Sequence, residues 1–178
     1  MRVAPPAAGL RMKTFSHIQR RALKIGGEFR LLWKHYIYQS FFAALTLALV
    51  ILVLNVEHAV IVASIGATAF IVFTMPRNIT AKPRRVIGGH IVGLVCGSLV
   101  SLIPHSMLLF SIMVYSLAVG LSIFMMVALD FEHPPASGTA LGVAISGFSL
   151  DIMLAVVTGS ILLSLAHRFL RRYLRDLT

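Results

Sequence analysis

The chain has 178 residues, 58% hydrophobic and 12% charged, with 16 Lys and Arg against 6 Asp and Glu and a net charge of +10. That balance excludes an ordinary soluble domain and points to a membrane protein. The basic residues fall only in residues 2–34, 77–85 and 168–175 and interrupt no apolar segment, which is the positive-inside pattern and not the aromatic-interleaved patch of a nucleic-acid binder.

Residues 1–12, with Pro5-Pro6, carry no periodic signal. From 15 to 36 the apolar residues Phe15, Ile18, Ala22, Ile25, Phe29, Leu32 and Tyr36 recur at spacings of three and four, with Arg20, Arg21, Lys24, Arg30 and Lys34 between them. This reads as an amphipathic basic helix lying in the membrane interface, with Trp33, Tyr36 and Tyr38 as an aromatic belt; a frayed, solvated tail is the blander alternative. Residues 1–35 are therefore taken as a basic extension and 36–174 as the membrane domain.

A spanning helix needs roughly 20 mostly apolar residues. Six apolar elements follow, at 36–54, 59–75, 86–103, 106–129, 134–150 and 151–174. With the N-terminus inside, six crossings leave every Lys and Arg on one side. If 134–150 only dips and returns, the C-terminal arginines fall on the other side, so the charge rule favours six elements over five. The expected fold is all-α, a polytopic membrane helix bundle.

Segments 59–75 and 134–150 have 17 residues each, about 25 Å of helix against a hydrocarbon core of roughly 30 Å. Both follow an acid–histidine pair, Glu57-His58 and Glu132-His133, and both carry a small-residue string, Gly66-Ala67-Thr68-Ala69 and Ser137-Gly138-Thr139-Ala140. The match suggests a 3+3 inverted repeat, with the two short helices approaching the midplane from opposite faces, N-termini inward. The alternative is that short Gly/Ala/Ser/Thr helices are simply those packed at the bundle centre. Gly89, Gly93 and Gly97 make a smooth stripe suited either to internal packing or to the seam of a homo-oligomer.

Pro134 and Pro135 should open a helix, because prolines suit a first turn whose N–H groups are orphaned anyway. Residues 130–133 are then non-helical, which at membrane depth is tolerated only inside protein or beside a wet cavity. The helix N-terminus and the hydroxyls of Ser137 and Thr139 would suit a small anion, and Gly138 would allow close approach. Ser64, Gly66 and Thr68 supply the matching polar positions of the second element. His90 and His133 are expected near the cytoplasmic side, where they could pair, hold an anion or relay a proton. There is no HExxH, no cysteine pair (Cys96 stands alone) and no nucleophile-elbow pattern, so neither metal, cofactor nor catalytic residue is expected and the chain does not read as an enzyme.

His133-Pro134-Pro135-Ala136, followed by Thr139-Ala140-Leu141, resembles the signature of the HPP family of integral membrane proteins. Ser64-Ile65-Gly66-Ala67-Thr68-Ala69, then Phe73, Lys82-Pro83-Arg84 and Gly88-Gly89-His90, resemble that family's other stretch in order and spacing. The resemblance covers about residues 40–170 and implies a compact bundle of four or more spans. It also implies a transport role, since plant chloroplast and cyanobacterial members are implicated in nitrite transport. The expectation is a transporter or channel for a small anion, nitrite the implied candidate, with Ser64, Gly66, Thr68, His90, His133, Pro134, Pro135, Ser137, Gly138 and Thr139 at its site. A non-transporting oligomeric membrane protein and a membrane-embedded enzyme using Glu132, His133 and His90 are the alternatives. The partners expected are the lipid bilayer and the anion. The setting expected is a bacterial inner membrane with both termini cytoplasmic; an organellar membrane stays open because the N-terminus is basic and acid-poor.

Overall fold

Proline, glycine and capping residues set the helix ends. The computed structural model describes residue 27 and residues 30–50, 59–104 and 106–177, among which the chain is helical with no strand. α1 covers 30–50. The others are α2, Ala59–Thr74; α3, Pro83–Ser101; α4, Leu108–Ala128; α5, Pro135–Ser146; and α6, Leu150–Leu170. Between α2 and α3, Asn78 caps a short 3₁₀ turn, Ile79–Ala81, and Pro83 then opens α3 at its first position, where its missing N–H costs nothing. Pro134 and Pro135 start α5 as their chemistry predicts, and Gly147, at φ +78°, ends it. The side chain of Ser149 caps α6 by accepting from the Ile152 N–H at 3.1 Å.

The six expected elements correspond to these helices in order, with shifted ends. The expected boundary at residue 35 falls inside continuous α1. The interfacial helix expected over 15–36 lies mostly outside the described residues, as do Glu57 and His58. α5 has only 12 residues, about 18 Å of helix.

Hydrogen bonds gather one end of the bundle. The Gln39 amide of α1 donates to the carbonyls of Phe73 and Arg175, the latter at 2.8 Å, and accepts from the Arg175 N–H at 3.2 Å. Leu177 N–H donates to Thr74 O, and His167 Nε2 lies 2.8 Å from Pro76 O. Arg84 meets Asp130 across the start of α3 and the end of α4. The part of α1 around Gln39, loop 75–82, loop 129–134 and the C-terminal segment therefore share one end, which carries Arg77, Lys82, Arg84, Arg85 and Arg175. This is the six-element arrangement; the five-element alternative, with the C-terminal arginines opposite, is excluded.

The bundle is apolar outside. α4 buries only Val114, Ala118, Ser122 and Met126, a stripe spaced by four, and turns Leu108 (80% exposed), Phe110, Met113, Leu117 and Phe124 outward. A helix apolar all round with so much of it exposed needs lipid, not water, as its surroundings. α4 and α6, at 21 residues each, are long and apolar enough to cross a bilayer.

The interior is built on close approach. A Cβ on Gly97 would lie 2.6 Å from the Ala140 carbonyl oxygen, one on Gly93 would strike the Ala136 carbonyl, and one on Gly89 would sit 2.7 Å from His133 Cβ. The glycine stripe is thus covered by α5 of its own chain. Of the two uses open to the stripe, this is internal packing; the surface that a seam between copies would need there is already covered. On its other side α5 lies along α2, with Gly142 against Ile61 and Gly138 against Ser64. The pairings 61 with 142 and 64 with 138 run in opposite directions, so the short helices lie flank to flank and antiparallel. Their expected meeting, N-terminus to N-terminus, is corrected: the small residues let the sides of the helices touch.

Gly97→Ala should destabilise the protein by about 1–3 kcal/mol, since the clash is with backbone, whereas Gly120→Ala, with nothing near its added Cβ, should be neutral or stabilise by about 0.5–1 kcal/mol. Thermal unfolding of both variants in one detergent checks this, and equal melting temperatures would contradict the packing described.

Candidate functional site

Where α2, α3 and α5 meet, a polar cluster interrupts the apolar core. Thr68, His90, His133 and Thr139 are fully buried and Ser64 nearly so. Burying such groups costs several kcal/mol unless each finds a partner. They find one another. His133 Nδ1 lies 2.9 Å from the Thr80 carbonyl, and its Nε2 lies 3.0 Å from Thr68 Oγ1. Thr68 Oγ1 is 2.8 Å from His90 Nε2; His90 Nδ1 is 2.8 Å from Thr139 Oγ1. Thr139 Oγ1 is 2.8 Å from Ser64 Oγ, which is also 2.6 Å from the Pro135 carbonyl. The result is a path from one backbone carbonyl to another, with one branch from Thr68 to the Ser64 carbonyl at 3.1 Å. The imidazole centroids are 5.2 Å apart.

Local sequence chemistry places each member. Ser64 and Thr68 are one turn apart on α2 and so share a face. The Asn78 side chain accepts from both the backbone N–H and the hydroxyl of Thr80, at 3.0 Å each. This turns the Thr80 carbonyl toward His133. Gly88 and Gly89 carry no side chain because the Phe131 ring and His133 Cβ occupy that space, and His90 follows them into the cluster. A carbonyl only accepts, so a neutral His133 carries its proton on Nδ1 and presents Nε2 as an acceptor. His90 is seven residues into α3 and Thr68 six from the end of α2, so the cluster lies about 10 Å inside the basic end.

Above the cluster, toward that end, sits an ion group. Asp130 takes φ +60°, a left-handed conformation that Asp tolerates better than most residues. The turn brings Asp130 and Glu132 to Arg85. The largely buried Arg85 guanidinium pairs with both, and Arg84 pairs with Asp130 at 3.1 Å and lies over the Phe131 ring.

Of the expected site residues, Ser64, Thr68, His90, His133 and Thr139 come together, and Pro135 contributes its carbonyl. Gly138 touches Ser64, its absent Cβ 3.3 Å from Ser64 Cβ, so that space is filled by the neighbouring helix. Gly66 faces Leu47 of α1, Pro134 is exposed, and Ser137 bonds back to the Pro134 carbonyl; these three stand apart. Sequence reasoning missed Arg85, the Thr80 carbonyl and the space-making role of Gly88. Arg85 follows Lys82-Pro83-Arg84 in a run that read as one basic loop, and only the helix start at Pro83 turns it inward. Among the described residues no group of three or more His, Cys, Asp and Glu is placed to hold a metal.

Arg85→Gln should cost about 3 kcal/mol, since it strips the buried member of the ion group. Asp130→Asn, more than half exposed and still suited to the left-handed turn, should cost under about 1 kcal/mol. Matched denaturation curves test the order, and equal losses would mean Arg85 is held by something else.

Comparison with known proteins agrees with the motifs. The family model "HPP, transmembrane region" matches residues 29–176. A transmembrane protein of Dictyostelium discoideum is 35% identical over 105 residues, which are 57% of this chain and 36% of that protein. The chain therefore spans about a third of that relative's length. No solved structure matches. With that model covering nearly all the described helices, the chain belongs to the HPP family of integral membrane proteins.

Proposed function

We propose that the chain carries a small monovalent anion across the membrane, with nitrite the candidate that family membership suggests. The observation that supports this reading is the cluster itself. Two imidazoles and three hydroxyls are buried together in a membrane domain, and none of their hydrogen bonds goes to a carboxylate. Ionisable groups at membrane depth are costly and are retained where they do work. A site of hydroxyl and imidazole donors offers an anion hydrogen bonds without a competing negative charge. Arg77, Lys82 and Arg84 at the near end would raise the local anion concentration. By the positive-inside rule this end is cytoplasmic, and the setting is a bacterial-type inner membrane.

In the described arrangement the cluster is closed. Transport requires the α2–α5 contact at Ser64 and Gly138 to part so that an anion can replace the side-chain partners. The short α5, held between the glycine-lined flank of α3 and the small-residue flank of α2, is the element suited to move. A second reading is structural, and one observation favours it: every polar atom of the cluster already meets a partner, as a pin between three helices would. No catalytic role is assigned to these residues.

Reconstituted protein should move nitrite into proteoliposomes, and Thr139→Val should reduce that flux at least tenfold while the protein stays folded. Gly138→Leu should reduce it similarly, because the leucine side chain would fill the space between α2 and α5 that the anion must enter. Wild-type vesicles no faster than protein-free ones would favour the structural reading.

A further inference from the structure

The path from Thr80 to Pro135 can be counted in protons. It has six links: Thr80 O to His133, His133 to Thr68, Thr68 to His90, His90 to Thr139, Thr139 to Ser64, and Ser64 to Pro135 O. Each link needs one proton between its two heavy atoms. With both histidines neutral, each imidazole and each hydroxyl supplies one, which makes five. Both ends of the path are carbonyls and supply none. The extra contact from Thr68 to the Ser64 carbonyl is a second acceptor for the one Thr68 proton and is not one of these six links. Across the six links the neutral path is therefore one proton short, and a single added proton fills them.

We propose that this path is a proton-binding relay that takes up one proton together with each anion; the coupling half of the proposal rests on the transport reading above. In the neutral state the two end carbonyls fix the bonds that reach them: Ser64 donates to Pro135 O, and His133 Nδ1–H donates to Thr80 O. Thr68 then donates to His133 Nε2, His90 Nε2–H to Thr68 and Thr139 to His90 Nδ1, which leaves the Thr139–Ser64 link without a proton. A proton arriving at Thr139 Oγ1 moves three others one atom along their own links. The Thr139 proton passes to His90 Nδ1, that of His90 Nε2 to Thr68, and that of Thr68 to His133 Nε2. Thr139 keeps the arriving proton and donates it to Ser64. No side chain rotates, the bonds formed and broken balance, and the positive charge resides on His133. All six links are then filled.

The charge so created has little to neutralise it. The two imidazoles face each other, with centroids 5.2 Å apart. On α3, Arg85 is paired with Asp130 and Glu132, and those acids are engaged by it. The 3₁₀ turn presents a carbonyl, with Lys82 exposed beyond it. The described parts of α2 and α5 carry no ionisable side chain. On α6 the buried histidine, His167, is bonded to Pro76 O instead. A buried imidazolium without a counter-charge is unfavourable, and a monovalent anion beside it removes that penalty. Proton and anion thus bind better together than apart, which is the linkage a coupled carrier needs.

Two measurements on the full chain test this. In proteoliposomes at equal pH on both faces, an inward nitrite gradient should acidify the lumen by about one proton per nitrite, counted above protein-free vesicles because nitrous acid itself crosses lipid. Thr68→Val, which cuts the middle of the path, should abolish that acidification, and Thr68→Ser should restore it. In the purified protein with ¹⁵N-labelled histidine, added nitrite should convert one neutral imidazole to a ring protonated at both nitrogens. Nitrite flux without acidification, or with acidification intact in Thr68→Val, overturns the relay and leaves transport standing. Absence of both flux and nitrite-induced protonation overturns the transport reading and the coupling with it.

Discussion

The close approach of α3 to α5 governs the rest of the interior. Four glycines of α3, at 88, 89, 93 and 97, meet ring, side-chain or backbone atoms of the segment 131–143 where a Cβ would stand. Close helix contact through small residues is how membrane bundles gain cohesion when lipid is as apolar as the core. Here it has a second effect. It brings the backbone of α3 near enough to α5 that His90 reaches past the interface to Thr139 and Thr68. Larger residues along that stripe would leave two histidines and three hydroxyls stranded in hydrocarbon. Packing and polar satisfaction are consequently one problem in this fold, solved by the same residues.

Much of this was legible in the sequence. The six elements follow from apolar runs and from where lysines and arginines stop, because the bilayer imposes both. The start of α5 follows from Pro134-Pro135. The common face of Ser64 and Thr68 follows from a spacing of four, and their kinship with Thr139 from the small residues around them. What escaped were features fixed by contacts between elements. Nothing local marks Arg85 as buried: it turns inward because Pro83 begins a helix and because Asp130 takes a left-handed turn after α4. Nor does a sequence show that Thr80's carbonyl, aimed by the Asn78 cap, will orient an imidazole. The glycine stripe was recognised as a contact surface, but whether its partner was α5 or another copy depended on packing.

The antiparallel contact of α2 and α5 bears on the suggested repeat. Each half, read as long helix, short helix and third helix, gives its short helix to the centre. α5 lies on α3 through glycines, while α2 packs with α6 through larger residues, among them Ile61 against Ile152 and Val156. The arrangement has the pairing of a two-fold design but not its equality. The tight, glycine-lined flank carries the histidine, and the aliphatic flank carries none of the cluster. A repeat diverging in this way would keep its architecture while concentrating its chemistry on one side.

The composition of the cluster also narrows what it can select. A carboxylate among these groups would have supplied a counter-charge to an imidazolium and made the site indifferent to anions. The acids nearby, Asp130 and Glu132, are instead paired with Arg85 and Arg84 at the basic end. Their capture leaves the buried path with donors, acceptors and two titratable rings but no fixed negative charge. The ion group and the cluster are thus complementary parts. The arginines pair with the acids of the loop that carries His133, and in the proposed relay the counter-charge is left to the anion. Weakening Arg85 would then act at a distance: freed acids would stabilise the imidazolium themselves, and the cluster would hold its proton whether or not an anion was present. The coupling proposed above depends on that counter-charge being absent from the chain and supplied by the anion.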